Sequence, residues 1–269
     1  MADPSKIKLV AMDLDGTLLD SQKRVPNGFF EMAADLHARG IHVVIASGRQ
    51  YFNILALFAP IRDSLVFMAD NGGYFNIYGK TVLAKPFTPE QTGRILDLAG
   101  TIPTAEPVLC CADCAYSMPC AESVRRDIGL YYERKEYSAE GFAKARGEGV
   151  IKIAIHDLEN STKNIWPVMR VLDGPEMCVR ISGDLWLDVM PFGVDKGDGI
   201  RQLQRLLGVD RSACMAFGDF DNDIGMLEAC GESYAMANAV DSVKAICRHG
   251  APSNDDDGVM RVLREVFGR

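Results

Sequence analysis

At 269 residues with 48% hydrophobic content, the chain is long enough for one large α/β domain or for a core carrying a smaller inserted one, and too apolar to stay disordered. Its 29 Lys and Arg against 37 Asp and Glu leave a formal net charge of -8, which argues against a nucleic-acid partner because nothing offsets that partner's own phosphate charge. Residues 1–8 lack the pattern of a signal peptide and no later apolar run approaches membrane-spanning length, so the sequence predicts a cytoplasmic protein with no membrane partner.

In chain order, Lys8 to Met12 reads as a buried strand running directly into the polar turn Asp13-Leu14-Asp15-Gly16-Thr17. Phe29, Met32, Ala33 and Leu36 recur at helical spacing up to Gly40, and Ile41 to Ala46 forms a second buried strand ending at Ser47-Gly48-Arg49. This is a βαβ unit, with a parallel sheet and a right-handed connection. A helix over Ile54 to Phe58 and a third strand, Leu65 to Ala69, close at Asp70-Asn71-Gly72-Gly73.

From Tyr74 the texture changes. A hairpin of Tyr74 to Tyr78 and Thr81 to Ala84 leads to Pro86, Pro89 and a helix through Ile95 and Leu98. Weaker elements follow as far as Pro191: a strand at Val150 to Ile155, a helix near Asn164 to Leu172, and paired strands at Met177 to Ile181 and Leu185 to Val189. The βαβ pattern then resumes with a helix through Ile200, Leu203, Leu206 and Leu207, a strand at Ala213 to Phe217, and a helix through Ile224, Met226 and Leu227 capped by Asp221. The remainder, from Ser233, offers a short strand and two helices. The fold class expected is α/β: a Rossmann-like parallel-sheet core, residues 1–83 and 190–269, with an inserted α+β cap at 84–189.

Three polar clusters each follow directly on a buried strand: Asp13 with Asp15, Ser47 with Gly48 and Arg49, and Asp219 with Asp221, Asn222 and Asp223. An open parallel sheet gathers such clusters at its carboxyl edge, where α/β proteins bind ligands. Carboxylates massed there repel one another and call for a cation. Oxygen ligands, with only four histidines in the chain and none in a motif, favour magnesium. That set suits phosphoryl transfer, in which one carboxylate attacks phosphorus and a second handles the leaving group's proton. Of the eight cysteines, Cys110, Cys111, Cys114 and Cys120 lie close enough to raise a metal or redox site; with no second spaced pair, reduced thiols are the expectation.

The arrangement resembles the haloacid dehalogenase superfamily of phosphatases. The resemblance rests on Asp13-Leu14-Asp15-Gly16-Thr17-Leu18-Leu19, Ser47-Gly48-Arg49, Lys196 in Val194-Asp195-Lys196-Gly197, and Gly218-Asp219-Phe220-Asp221-Asn222-Asp223. It is similar in particular to the Cof-type branch, whose type IIB α/β cap sits between the third strand and the lysine helix. The resemblance implies that Asp13 is the nucleophile, Asp15 the general acid and then base, Ser47 a hydrogen-bond donor to the phosphoryl group, and Lys196 the cation that offsets its charge and keeps Asp13 ionised. It implies Mg2+ on Asp13, the backbone carbonyl of Asp15, and Asp219, with Asp223 as ligand or support; Gly48, Arg49 and Asn222 face the substrate phosphate. The substrate implied is a small phosphorylated metabolite, foremost a sugar phosphate, with pyridoxal phosphate and nucleotide-related esters open; the protein is expected to be a monomer or weak homo-oligomer. Trp186, Asp184 and the 113–118 segment are candidate leaving-group contacts. A phosphomutase, passing the same phosphoryl group to another hydroxyl, and a phosphorylated signalling module are the competing readings.

Overall fold

The computed structural model describes residues 3–83, 86–147 and 149–268. The first part of the chain runs β1 (Leu9–Asp13), α1 (Phe29–Ala38), β2 (His42–Ala46), α2 (Tyr51–Phe58), β3 (Leu65–Ala69), β4 (Tyr74–Ile77) and β5 (Lys80–Leu83). The middle part runs α3 (Pro89–Ala99), β6 (Ala105–Cys111), β7 (Ala115–Ser117), α4 (Glu122–Tyr131), β8 (Lys135–Tyr137), α5 (Ala139–Gly147), β9 (Val150–Asp157), α6 (Ser161–Asn164), α7 (Trp166–Met169), β10 (Met177–Gly183) and β11 (Trp186–Pro191). The last part is α8 (Lys196–Leu207), β12 (Cys214–Gly218), α9 (Ile224–Ala229), β13 (Glu232–Met236), α10 (Asp241–Ile246), β14 (His249–Ala251) and α11 (Gly258–Phe267).

Two sheets result. The first has the order β14-β13-β12-β1-β2-β3-β4-β5, parallel from β14 to β3 and finished by the antiparallel β4–β5 hairpin. Its strands β1, β3 and β12 are buried along their whole length, as expected for a parallel sheet covered on both faces. The second sheet, β10-β11-β9-β6-β7-β8, is antiparallel except for the β7–β8 pair. The protein is therefore α/β, with a parallel-sheet core and a second, mixed unit inserted between β5 and α8. Ile95, Ile153, Ile155, Leu187 and Val189 form an apolar core of that unit's own on one face of its sheet.

The strands and helices differ from the sequence reading in identifiable places. The helix expected near Asn164 to Leu172 is two short turns, α6 and α7, followed by a 3-10 turn. Pro167 lacks an N–H donor and sits at the start of α7, where no partner for one is needed. The end of the hairpin expected at Ala84 lies outside the described residues, as does Arg269. A second short strand, β14, appears in the last segment, where only one was expected. Asp221 does not cap α9: a 3-10 turn, Asp221–Asp223, precedes that helix, and the Asp221 carboxylate accepts instead from the Ser242 hydroxyl. No helix among the described residues is long and apolar enough to cross a membrane.

Candidate active site

The carboxyl ends of β1, β2 and β12 lie side by side, because β1 pairs with β2 on one flank and β12 on the other. That neighbourhood brings the three polar clusters together. Asp13 is the last residue of β1 and is 6% exposed; its Oδ1 accepts from Lys196 Nζ at 2.5 Å. Lys196 opens α8, whose N-cap Asp195 accepts from the Asp198 backbone N–H. A Cβ on the next residue, Gly197, would stand 2.6 Å from the Gly225 backbone, so glycine there lets α8 approach α9 closely. The close approach carries the ammonium to Asp223 Oδ1, 2.6 Å away.

Asp223 Oδ2 also accepts from the backbone N–H groups of Asp219 and Phe220, at 3.0 and 3.3 Å. Asp223 thus braces the loop that presents Asp219. Asp219 Oδ1 accepts from the Thr17 hydroxyl at 2.7 Å, and Gly16 brings its backbone so near that a Cβ would lie 2.3 Å from Asp219 Oδ2. Gly16 has φ +85, which also favours glycine.

One carboxylate oxygen each from Asp13, Asp219 and Asp223 lies within 4.8 Å of the others. Their electrostatics show what that closeness costs. Burial drives the Asp13 carboxyl well above its ordinary range; Lys196 opposes this, while Asp223 and Asp219 add to it. Burial and Asp223 likewise push Asp219 up to about 6, against the lowering by Thr17 and Lys196. At Asp13 burial and the two neighbouring carboxylates outweigh Lys196, so the group of carboxylates fits a further cation. All its donors are oxygens, the set a hard divalent ion such as magnesium takes.

A pH dependence follows. Below about 6 Asp219 holds a proton that an incoming cation must displace, and above it that carboxylate is free to ligate. Mg2+ affinity measured by calorimetry is expected to be roughly tenfold weaker at pH 5 than at pH 7. Equal affinity at the two pH values would contradict the assignment.

Asp15 takes a different course from its neighbours. Its Oδ2 accepts from Arg49 Nε at 2.7 Å and its Oδ1 from Arg49 Nη2 at 2.6 Å, a two-point clamp, and Lys23 Nζ reaches Oδ1 at 2.6 Å. Burial raises its pKa, but the hydrogen bonds and charge of Arg49, with those of Lys23, outweigh burial and hold it below the usual carboxylate range. The Asp15 side chain is thus held by cations and is not part of the metal-ready group of Asp13, Asp219 and Asp223. Arg49, expected to face a substrate phosphate, is engaged with Asp15 and with Asn53 Oδ1, 3.0 Å from its Nη1. Ser47 is buried, and its Oγ accepts from the Arg49 N–H at 3.1 Å.

A cavity of about 220 Å³ opens above these groups. Asp13, Asp15, Ser47, Gly48, Arg49, Asp219 and Asn222 line it from the core, and Tyr131, Tyr132, Lys152, Ser182, Trp186 and Asp188 from the inserted unit. Of the candidate leaving-group contacts, Trp186 is in its wall, whereas Asp184 and residues 113–118 are not among the described residues that line it. The cysteines take no part in a metal-ready group among the described residues; Cys110 and Cys111 are buried in the second sheet, and burial pushes both thiols up to about 12. Sequence reasoning passed over Thr17, Lys23, Tyr131, Tyr132, Lys152 and Asp188. Lys152 and Asp188 carried a usable signal: each is a charge between two apolar neighbours in its strand.

Fold and site together define a capped hydrolase whose carboxylates stand at the strand ends of a parallel sheet. The sequence profile of the haloacid dehalogenase-like hydrolases matches residues 10–263, and the chain belongs to that family. Over 97% of its length it is 32% identical to the Escherichia coli K12 phosphatase YbjI, a 5-amino-6-(5-phospho-D-ribitylamino)uracil phosphatase, of which 96% is covered. The solved structure of SMU.1108c from Streptococcus mutans UA159 is 26% identical and superposes with a TM-score of 0.88, covering 98% of this chain and all of that one. The subclass IIB sugar phosphatase BT4131 shares the fold, with a TM-score of 0.80 at 22% identity over 97% of this chain and 99% of that one. Within the family, this chain is a phosphatase.

Proposed function

We propose that the protein is a magnesium-dependent phosphatase that releases phosphate from a small phosphorylated metabolite through an aspartyl-phosphate on Asp13. The observation that carries the reading is Asp13 at a strand end, held by Lys196 and crowded by Asp219 and Asp223, beneath a roofed cavity. Asp13 attacks phosphorus as the bond from phosphorus to the leaving oxygen breaks, and Asp15 gives that oxygen its proton. Asp15 then takes a proton from water as the water attacks phosphorus and frees Asp13. Ser47 donates to the phosphoryl oxygens, and Lys196 offsets their charge. Asp13, Asp219 and the Asp15 backbone carbonyl would hold the metal, with Asp223 in support; bound there, it supplies charge neutralisation for the phosphoryl oxygens. Gly48, Arg49 and Asn222 complete the phosphate's surroundings.

The cavity walls combine aromatic faces, Tyr131, Tyr132 and Trp186, with the polar groups of Ser182, Lys152 and Asp188. That mixture supports a hydroxylated leaving group, a sugar or polyol, and leaves room for a ring such as the one named in the substrate of YbjI. Phosphate release from a panel of sugar phosphates, polyol phosphates and phosphoribitylaminouracil, with magnesium and with chelator, tests the reading. Magnesium-dependent release is the expected result. Isomerised phosphosugar in place of free phosphate points to a mutase, and a long-lived phosphoprotein without turnover to a signalling module.

A further inference from the structure

Lys152 and Asp188 occupy strand positions that packing alone would fill with apolar residues. Along β9 and β11 the alternation sends Ile153, Ile155, Leu187 and Val189 into the inserted unit's own core. The opposite face of the same strands carries Lys152 and Asp188, which are 1% and 3% exposed. Burying an ammonium and a carboxylate is costly, and apolar residues of similar size are often at least as stable in such places. These two therefore call for a purpose other than stability.

Their contacts lead to the site. Lys152 Nζ donates to the Gly48 carbonyl at 2.6 Å and lies 3.2 Å from Asp70 Oδ1 and 3.7 Å from Asp188 Oδ2. Asp188 Oδ2 accepts from Asn71 Nδ2 at 2.7 Å, and the Ser182 hydroxyl donates to the same carboxylate. One cation thus stands among two carboxylates, but only Lys152 and Asp188 line the cavity; Asp70 does not. The Tyr132 ring flanks the ammonium, 5.7 Å from ring centroid to Nζ. The pair reaches the phosphate loop through Gly48 and the open cavity on its other side.

Building on the phosphatase reading above, we propose that Lys152 and Asp188 are the specificity-determining pair for the leaving group, binding the hydroxyls of a phosphorylated polyol or sugar. A hydroxyl both donates and accepts, so it pairs with Asp188 as donor and with Lys152 as acceptor. An alkyl or aryl leaving group forms neither bond, and a site built to hydrogen-bond a hydroxyl discriminates against it. Trp186 and Tyr132 give the carbon chain its flat walls.

The test compares kcat/KM for ribitol 5-phosphate, n-pentyl phosphate and p-nitrophenyl phosphate. In the unsubstituted protein ribitol 5-phosphate is expected to exceed n-pentyl phosphate by about 100-fold or more. A ratio near one overturns the proposal without any substitution. Asp188→Asn is expected to lower the ratio of ribitol 5-phosphate to p-nitrophenyl phosphate at least about tenfold, mainly through KM. It leaves one cation facing one carboxylate, so the fold is expected to survive. Asp70→Asn removes the same charge from the same cluster but from a residue outside the cavity wall, and is expected to change that ratio less than about threefold. Equal losses in the two variants, or none in Asp188→Asn, overturn the proposal in favour of a structural cluster. Hydrolysis of p-nitrophenyl phosphate with an unmoved ratio sinks the subsite and spares the phosphatase; phosphate release from no ester overturns both.

Discussion

Asp13→Asn is expected to lower kcat by at least about 10⁴-fold while leaving the protein folded. The amide cannot attack phosphorus, and no neighbouring group is placed to replace it: Asp223 is braced by Lys196 and two backbone N–H groups, and Asp219 by Thr17. The substitution also removes one of three crowded carboxylates whose mutual repulsion, with burial, raises the Asp13 and Asp219 pKa values. Without metal the variant should therefore unfold at a temperature no lower than the parent, because a catalytic constellation is a common source of stored destabilisation. Single-turnover assays with thermal melts check both halves. Turnover within about tenfold of the parent would reject Asp13 as nucleophile.

The second large effect concerns the proton. Asp15→Asn is expected to slow turnover about 10²- to 10⁴-fold, the usual range for loss of a general acid and base. Size and pH dependence together make the argument. Arg49 and Lys23 hold Asp15 as an anion in this arrangement, so it is poised as base and must leave the clamp to carry a proton as acid. An incoming phosphate competes for Arg49, which stands in the same cavity wall. Activated esters, whose leaving groups need no proton, should therefore lose much less in Asp15→Asn than alkyl esters do. Equal losses on both kinds of ester would remove Asp15 from the acid's role.

The parallel core was legible because buried strands of the Leu9 to Met12 kind stop abruptly at polar turns, and a parallel sheet aligns those stops. Asp13, Ser47 and Asp219 could be read for the same reason, each at the end of a buried strand, whereas Lys196 was reached only through the family resemblance. The inserted unit was harder. Its strands β7 and β8 have three residues each, too short for a periodicity to register, and β6 begins Ala-Glu-Pro, which hides a strand behind a turn signal. Tertiary pairing with β9 fixes β6 regardless. The clamp on Asp15 was invisible, since nothing local ties Lys23 or Arg49 to it, and Asp188 was passed over because a single charge in a hairpin strand usually faces water.

Gln50 follows Ser47, Gly48 and Arg49 directly, and its side-chain amide exchanges two hydrogen bonds with the Arg134 backbone, as a neighbouring strand would. Arg134 in turn lays its guanidinium over the Phe52 ring, 3.6 Å from the centroid, and Asn53 reaches the Leu130 carbonyl. Ser47, Gly48 and Arg49 line the pocket, and Gln50, Phe52 and Asn53 just after them hold the roof. Any displacement of this segment on phosphate binding would be transmitted to the roof's contacts, and a loosening of the roof to the pocket. Release of the product and lifting of the roof would then be coupled through a stretch of backbone shorter than two helical turns.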